Sequence, residues 1–249
     1  MDFGLKDQVA IVTGASRGIG RACATALVEE GVRVLAVARG VDELETLRAT
    51  APGQIEVAVV DMTDVDAVAA LPDRAVEHFG RLDIVVNNAG MMPAGKFIDQ
   101  PQQEWDQVFA VNVRAPAVLT RAAGKHLLAQ RSGKVINMAS VVGINGKPVL
   151  VSYSATKGAL LQFTKALGAE WARFGVQVNA IAPGAFETEA QAAVLGNPKT
   201  LDLRLRKIPA RRMGRSEELG PLVCYLASPL SDFMTGSVVV LDGGEVNKL

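Results

Sequence analysis

The sequence predicts a single α/β domain built on a doubly wound parallel sheet. Short runs of apolar, often β-branched residues alternate with longer segments of helical pattern along the 249-residue chain. The predicted strands are apolar almost throughout, as expected where helices cover both faces of a sheet. Since no long linker, low-complexity segment or short repeat divides the chain, we expect one domain over residues 1–249.

Local signals bound the predicted elements. The first strand, Val9–Thr13, leads through a glycine-rich turn into a helix over residues 21–30 that Gly31 ends. A later helix, Val65–Phe79, also ends at a glycine, Gly80. The other predicted elements are strand 32–37, helix 41–49, strand 55–60, strand 83–86, strand 134–138, strand 176–181 and strand 237–241.

Residues 187–212 follow the pattern least well. The segment contains Gly196-Asn197-Pro198, a short helical pattern and then Pro209, and it is too long for an ordinary connection between a strand and a helix. Long ordered loops of this kind commonly cover binding sites. We therefore expect a small lid over a substrate pocket.

Composition and charge exclude several classes of function. Lys and Arg number 26 and Asp and Glu number 26, so the formal net charge is zero and neither nucleic acid nor a membrane surface is expected as a partner. No apolar run approaches the roughly 18 residues of a membrane span, and the first seven residues do not read as a secretory signal. Cys23 and Cys224 lie in helical patterns outside any metal-ligand spacing, which predicts buried, reduced thiols in a cytoplasmic protein without a metal site.

The glycine-rich turn predicts a binding site for the pyrophosphate of a dinucleotide. Residues 13–20 lie between a strand and a helix, and Gly14, Gly18 and Gly20 are positions where a Cβ would block a tight turn or an approaching phosphate. The N-terminus of the following helix supplies free N–H groups and the positive end of a dipole.

The end of the second strand predicts which dinucleotide binds. Ala38 stands about 20 residues after the glycines, where an acidic residue would favour NAD, and Arg39 follows it. The guanidinium groups of Arg39 and Arg17 are suited to a 2′-phosphate. We therefore expect NADP(H) as the preferred cofactor, with NAD(H) possible because Asp42 lies close by.

A chemical group for proton transfer is predicted in the second half of the chain. Tyr153 and Lys157 are four residues apart and share one face of a helix. An adjacent ammonium is expected to lower the phenol pKa from about 10, so that Tyr153 can exchange a proton with a carbonyl or alcohol oxygen. Ser140 follows the carboxyl end of a strand, where it can hold the same oxygen.

These motifs occur together and in order, and the sequence resembles the short-chain dehydrogenase/reductase family over essentially its whole length. The resemblance also rests on Asp61, Asn112, residues 87–90 and residues 183–188. It implies a Rossmann fold and hydride transfer between C4 of a nicotinamide and a ketone or secondary alcohol, with Tyr153 as the acid or base. It further implies a homotetramer.

The resemblance implies roles for further residues. Asn112 would complete a catalytic group with Ser140, Tyr153 and Lys157 by holding a water linked to Lys157. The expected cofactor-binding residues are Gly14, Ser16, Arg17, Gly18, Ile19, Gly20, Arg39, Asp61, Met62, Asn88, Ala89, Gly90, Tyr153, Lys157, Pro183, Gly184, Phe186 and Thr188. The expected substrate contacts are Met92, Ser140, Val142, Asn145, Tyr153 and Phe186.

The substrate remains open between two classes. The chain is similar to 3-oxoacyl-thioester reductases and also to gluconate and other sugar-acid dehydrogenases. A substrate carboxylate would need a cation, for which Arg204, Arg206 and Lys207 are candidates. The alternative of another class is a non-catalytic NADP(H)-binding sensor, against which the intact Tyr153 and Lys157 argue.

Overall fold

The computed structural model describes residues 2–247 and is organised around a seven-stranded parallel sheet. The strands run in the order β3-β2-β1-β4-β5-β6-β9, and β7 and β8 form a separate two-stranded pair. The strands are β1 (Val9–Thr13), β2 (Arg33–Ala38), β3 (Ile55–Val59), β4 (Ile84–Asn87), β5 (Gly133–Met138), β6 (Val176–Pro183), β7 (Phe186–Glu187), β8 (Gly214–Arg215) and β9 (Val238–Leu241).

Helices cover both faces of this sheet. They are α1 (Gly18–Glu29), α2 (Val41–Arg48), α3 (Val65–Phe79), α4 (Gln102–Phe109), α5 (Ala115–Ala129), α6 (Val142–Asn145), α7 (Val151–Trp171), α8 (Ala192–Leu195), α9 (Pro198–Leu205) and α10 (Gly220–Ala227). Alternate residues of β1 enter opposite layers: Ala10 and Val12 pack with α1, α2 and α10, whereas Val9 and Ile11 pack with α3 and α5. The predicted doubly wound fold is therefore confirmed.

The strand order creates a crevice at the centre of the sheet. The chain proceeds outward from β1 to β3, then returns to place β4 on the other side of β1. The connections after β1 and β4 consequently leave in opposite directions. In open sheets of this kind, ligands bind at the carboxyl ends of the two strands that flank such a point.

Predicted element boundaries differ from the observed ones by at most three residues. Helix α3 has the predicted bounds because Asp64 accepts hydrogen bonds from the N–H groups of Asp66 and Ala67 at its start. Helix α1 begins at Gly18 rather than at residue 21, so the last two glycines of the turn belong to its first turn, with Gly18 at a left-handed φ of 52°. Cys23 and Cys224 are buried and unbonded, and no helix within residues 2–247 is long and apolar enough to cross a membrane.

Residues 187–212, which we call the lid segment, carry α8 and α9. The β7–β8 pair joins the two ends of the segment. Ile208 packs with Ala185 and Met213 in a small separate apolar cluster. The Ala210 N–H donates to the Gly243 carbonyl, so the segment is attached to the turn that follows β9.

Candidate active site

A cleft of about 450 Å³ opens at the carboxyl ends of β1 and β4. Most of the expected cofactor-binding residues line it, namely Gly14, Ser16, Arg17, Gly18, Ile19, Gly20, Arg39, Asp61, Met62, Asn88, Ala89, Gly90 and Thr188. Pro183, Gly184, Phe186, Tyr153 and Lys157 lie outside this lining. The glycine turn and the ends of β2, β3 and β4 thus share one cavity.

The glycines form a cradle that side chains would fill. Gly14 has a φ of 68°, in the left-handed region that favours glycine, and a Cβ there would lie 2.7 Å from Asn88 Nδ2. A Cβ on Gly20 would fall on the Gly14 carbonyl oxygen and on the Asn88 amide. The first turn of α1 has neither a side-chain cap nor an acidic residue, so its N–H groups face the cleft as donors. This arrangement fits a bound pyrophosphate.

Thr13 and Asn88 hold the two strand ends in place around the glycines. Thr13 Oγ1 accepts hydrogen bonds from the N–H groups of Asn88 and Ala89, both at 3.0 Å. Asn88 Nδ2 donates to the carbonyl oxygens of Thr13 at 2.9 Å and Gly14 at 3.3 Å. The Asn88 side chain therefore braces the glycine turn, a role that the sequence analysis did not identify.

Charged residues surround the far end of the cleft. The Asp61 carboxylate accepts hydrogen bonds from the Thr63 N–H and hydroxyl, both at 2.8 Å, and these bonds, with the nearby charge of Arg39, hold its pKa below its usual range. Glu43 also lines the cleft, with its carboxylate over Gly40. Of the two acidic residues in the first turn of α2, it is Glu43, and not the Asp42 considered from sequence, that lines the cleft.

The structure brings Ser140, Tyr153 and Lys157 together. Tyr153 is half-buried with its hydroxyl close enough to Ser140 for the two side chains to interact, and Lys157 Nζ lies 5.6 Å from the centre of the Tyr153 ring. Helix α6 approaches α7 closely because Gly143 lies against the backbone of Lys157. A Cβ on Gly90 would lie 3.6 Å from Lys157 Nζ, so this group adjoins the cleft at Gly90.

The pKa values of Tyr153 and Lys157 both depart from their ordinary values because of burial. Burial raises the pKa of Tyr153 to about 12, and the interaction with Ser140 offsets only part of that increase. Burial lowers the pKa of Lys157 to about 8, and its Nζ donates to the Met138 carbonyl at 2.6 Å. The Lys157 ammonium donates to Met138 rather than to the phenol, and the expectation that Lys157 lowers the pKa of Tyr153 stays a prediction.

Asn112 occupies a π-helical turn, residues 110–114, that joins α4 to α5. Its buried amide accepts a hydrogen bond from the Met91 N–H at 2.8 Å and donates to the Met91 carbonyl at 2.9 Å and to Thr156 Oγ1 at 3.0 Å. The side chain therefore ties the end of β4 to helix α7. Its expected part in holding a water stays a prediction, and the bond to Thr156 was not anticipated.

Several expected substrate contacts have other partners. The Phe186 ring is 5% exposed and packs against Gly214 in the core, and its expected part in shaping the pocket stays a prediction. Asn145 is exposed and its Nδ2 donates to the Val246 carbonyl at 3.4 Å. The Arg204 guanidinium is held by Glu245, which removes it as a free cation for a substrate. Met92 and Val142 are both half-buried.

An open parallel sheet with a glycine cradle at its central crevice defines a Rossmann-type protein of the dinucleotide-binding class. A family model described as enoyl-(acyl carrier protein) reductase matches residues 14–245. The chain is 34% identical over 245 residues to 3-oxoacyl-(acyl-carrier-protein) reductase of Thermotoga maritima, covering 97% of this chain and 99% of that one. It therefore belongs to the short-chain dehydrogenase/reductase family and is an oxidoreductase.

Two further relatives are similar over nearly their full length. Gluconate 5-dehydrogenase of Gluconobacter oxydans is 34% identical, covering 97% of this chain and 96% of that one. A crystal structure from Beutenbergia cavernae, provisionally assigned as an NAD(P)-dependent gluconate 5-dehydrogenase, holds NADP at low occupancy. It is 33% identical, covers 100% of both chains and superimposes with a TM-score of 0.94.

Proposed function

We propose that this enzyme catalyses NADP(H)-dependent hydride transfer between C4 of the nicotinamide and the carbon of a ketone or secondary alcohol. The observation that carries the proposal is the proximity of Ser140, Tyr153 and Lys157 to one another, next to the cleft at Gly90. The cofactor, when bound, supplies or accepts the hydride. The chain supplies position and the proton.

The cleft supports NADP(H) as the preferred cofactor. The glycine cradle and the first turn of α1 would hold the pyrophosphate, and the exposed side chains of Arg17 and Arg39 would hold a 2′-phosphate. The NADP held by the Beutenbergia cavernae relative agrees with this assignment. Because Glu43 lines the same end of the cleft, NAD(H) remains an alternative cofactor.

The residues of the catalytic group have separate tasks. With its pKa raised to about 12, Tyr153 keeps its proton at neutral pH and can donate it to a carbonyl oxygen during reduction. Ser140 lies beside that hydroxyl and would orient the same substrate oxygen. The Asn112 amide acts as a positioning group, because it fixes Met91 and Thr156 on the two sides of the site.

Two substrate classes follow from the relatives. One is a 3-oxoacyl thioester or similar ketone, and the other is a sugar acid of the gluconate kind. The sensor hypothesis is disfavoured because Ser140, Tyr153 and Lys157 are all present and in proximity.

The substitution Tyr153→Phe tests the proposal. It removes the proton donor and keeps the ring, so we expect kcat to fall by about 1,000-fold or more while the Kd for NADPH changes little. Turnover is followed by NADPH absorbance with acyl-thioester, sugar-acid, cyclic and aromatic ketones, in parallel with NADH. The matched control is Tyr225→Phe, at the second of the two tyrosines in the chain. Undiminished turnover by Tyr153→Phe, or NADPH binding without turnover of any ketone, would contradict the proposed function.

Assembly and location stay predictions. A homotetramer is supported by apolar side chains left on the surface, among them Phe97 at 57%, Ile98 at 90% and Phe233 at 107% exposure. The ring of Phe97, which precedes α4, meets Trp105 edge-on, and Trp105 stacks on Phe109 along α4. The buried, unbonded Cys23 and Cys224 agree with a reducing compartment such as the cytoplasm.

A further inference from the structure

Lys147 occupies an unusual position between the two helices that carry the reacting group. It lies in the short loop that joins α6, which follows Ser140, to α7, which bears Tyr153. Its side chain is half-buried, and within residues 2–247 its ammonium makes no hydrogen bond or ion pair. A half-buried charge without a partner carries a desolvation cost that a ligand of opposite charge would relieve.

The neighbours of Lys147 are mostly positive. Arg204 and Lys207 from the lid segment and Glu245 from the turn after β9 lie close enough to act on it electrostatically. Both carboxylate oxygens of Glu245 are taken by Arg204, at 2.5 and 2.7 Å, so that pair is internally neutral. Burial, followed by the charge of Arg204, lowers the pKa of Lys147, and Glu245 opposes that effect only in part. The net charge of this group of side chains is therefore positive, from Lys147 and Lys207.

Helix α6 and the turn after β9 connect this positive group of side chains to the Ser140 hydroxyl. The Ser140 hydroxyl lies 3.5 Å from the carbonyl of Pro183, and Gly184 beside it packs against Asp242. The turn that begins at Asp242 reaches Glu245. The carbonyl of the next residue, Val246, accepts a hydrogen bond from Asn145 Nδ2 at the end of α6. Ser140 and Lys147 therefore lie on either side of the four-residue helix α6, and the C-terminal end of that helix contacts the turn after β9.

We propose that Lys147 binds the carboxylate of the substrate, and that the substrate is consequently a hydroxy acid or its keto acid rather than a neutral acyl thioester. The proposal rests on the proposed function, since it places the acid in the same site as Ser140 and Tyr153. A carboxylate would give the ammonium a charge-assisted hydrogen bond. A neutral thioester would leave the Lys147 ammonium unpaired. The enzyme would therefore bind the acid more tightly than the thioester.

Matched pairs of substrates and the variant Lys147→Gln test this subsite. The probes are D-gluconate against D-glucitol and 3-hydroxybutyrate against 3-hydroxybutyramide, each oxidised with NADP+. We expect the wild type to prefer the acid of a pair by about tenfold or more in kcat/KM. In Lys147→Gln, KM for the acid should rise by about 30-fold with kcat little changed, while the neutral compound is unaffected. Lys147→Arg should restore most of the affinity, and Lys199→Gln, at an exposed lysine that begins α9, is the matched control.

The outcomes separate this subsite from the proposed function. Equal use of acid and neutral compound by the wild type, or an equal loss on both in Lys147→Gln, would overturn the subsite and leave the proposed function intact. If NADPH binds and neither these compounds nor any ketone of the wider panel reacts, the proposed function fails instead. Calorimetric titration of both acids into NADP+-loaded Tyr153→Phe protein, with and without Lys147→Gln, then decides the subsite without turnover: absent or unchanged binding would overturn it.

Discussion

The cofactor cleft and the proposed substrate side of the active site differ in which parts of the chain form them. The cofactor cleft is framed by backbone and glycines: Gly14 and Gly20 lie against one another, and the Asn88 amide is bonded to backbone carbonyls. The proposed substrate side carries charged side chains, with Arg204 and Glu245 paired to each other and Lys147 unpaired within residues 2–247. A ligand common to many enzymes can be held by backbone geometry, whereas the choice of a particular substrate is left to side chains that can change one at a time.

The largest effect is expected on the backbone side. In Gly20→Ala the new methyl group would meet the Gly14 carbonyl and the Asn88 amide, so the turn must shift. We expect a loss of about 3 kcal/mol in the free energy of unfolding and a fall of about 100-fold in NADPH affinity. Denaturant unfolding and NADPH fluorescence titration measure the two effects.

The matched control for this experiment is Gly95→Ala. A Cβ on Gly95 meets nothing within 4 Å, so stability and NADPH affinity should both stay close to those of the wild type. If Gly20→Ala kept the stability and NADPH affinity of Gly95→Ala, the cofactor cleft would not depend on its glycine backbone as described.

Lys157 lies where the two sides meet, and its buried charge predicts a pH-dependent stability. Its pKa is lowered from 10.5 to about 8 in the folded protein, so between these values only the unfolded chain holds the proton. The contribution of Lys157 to the free energy of unfolding therefore increases as pH rises above 8, and this gain is lost as pH falls back through 8. Relative to Lys157→Met, the wild type should gain about 2 kcal/mol between pH 7 and pH 9.5.

Chemical denaturation at several pH values measures this difference, with Lys165→Met, an exposed lysine on the same helix, studied in parallel. The range stops below pH 10 because Tyr153, whose pKa is raised from 10.0 to about 12, has the opposite effect above it. The compared quantity is the free energy of unfolding of the wild type minus that of Lys157→Met. If it stays constant or decreases over this pH range, the ammonium is not buried as described.

The smallest effect is expected from the ion pair on the substrate side. A double-mutant cycle with Arg204→Met and Glu245→Gln should give a coupling energy of about 1 kcal/mol, because the two side chains are 13% and 20% exposed. The same cycle on Arg48 and Glu45, which are 47% and 40% exposed, should give about 0.3 kcal/mol. Equal couplings would mean that the pair on the substrate side is as solvated as an ordinary surface pair.

The sequence predicted the backbone side better than the side-chain side. The glycine turn and the Tyr153 group are local motifs, so their neighbours in space are close in sequence or follow from strand order. Glu43 was missed because the rotation of α2 decides which residue of its first turn faces the cleft. Helix periodicity alone does not fix that rotation relative to a neighbouring strand.

Contacts between distant segments explain the remaining differences. Arg204 was expected to be free because its partner, Glu245, is 41 residues away along the chain. Phe186 was expected in the pocket because its motif adjoins the site, but Gly214 leaves room for its ring in the core. Lys147 was not singled out, since a lysine in a loop is usually solvated. Only the packing of the lid segment and the turn after β9 makes it distinctive.

The π-helical turn at Asn112 constrains how this part of the chain can evolve. Its N–H to carbonyl bond, from Ala115 to Ala110, spans one residue more than in an ordinary helix. Deleting a single residue there would restore a regular helix and turn the preceding segment by about 100° relative to α5. The amide would then no longer reach Met91 and Thr156. Insertions and deletions that a surface loop tolerates are therefore excluded between α4 and α5, where chain length itself determines the direction of one side chain.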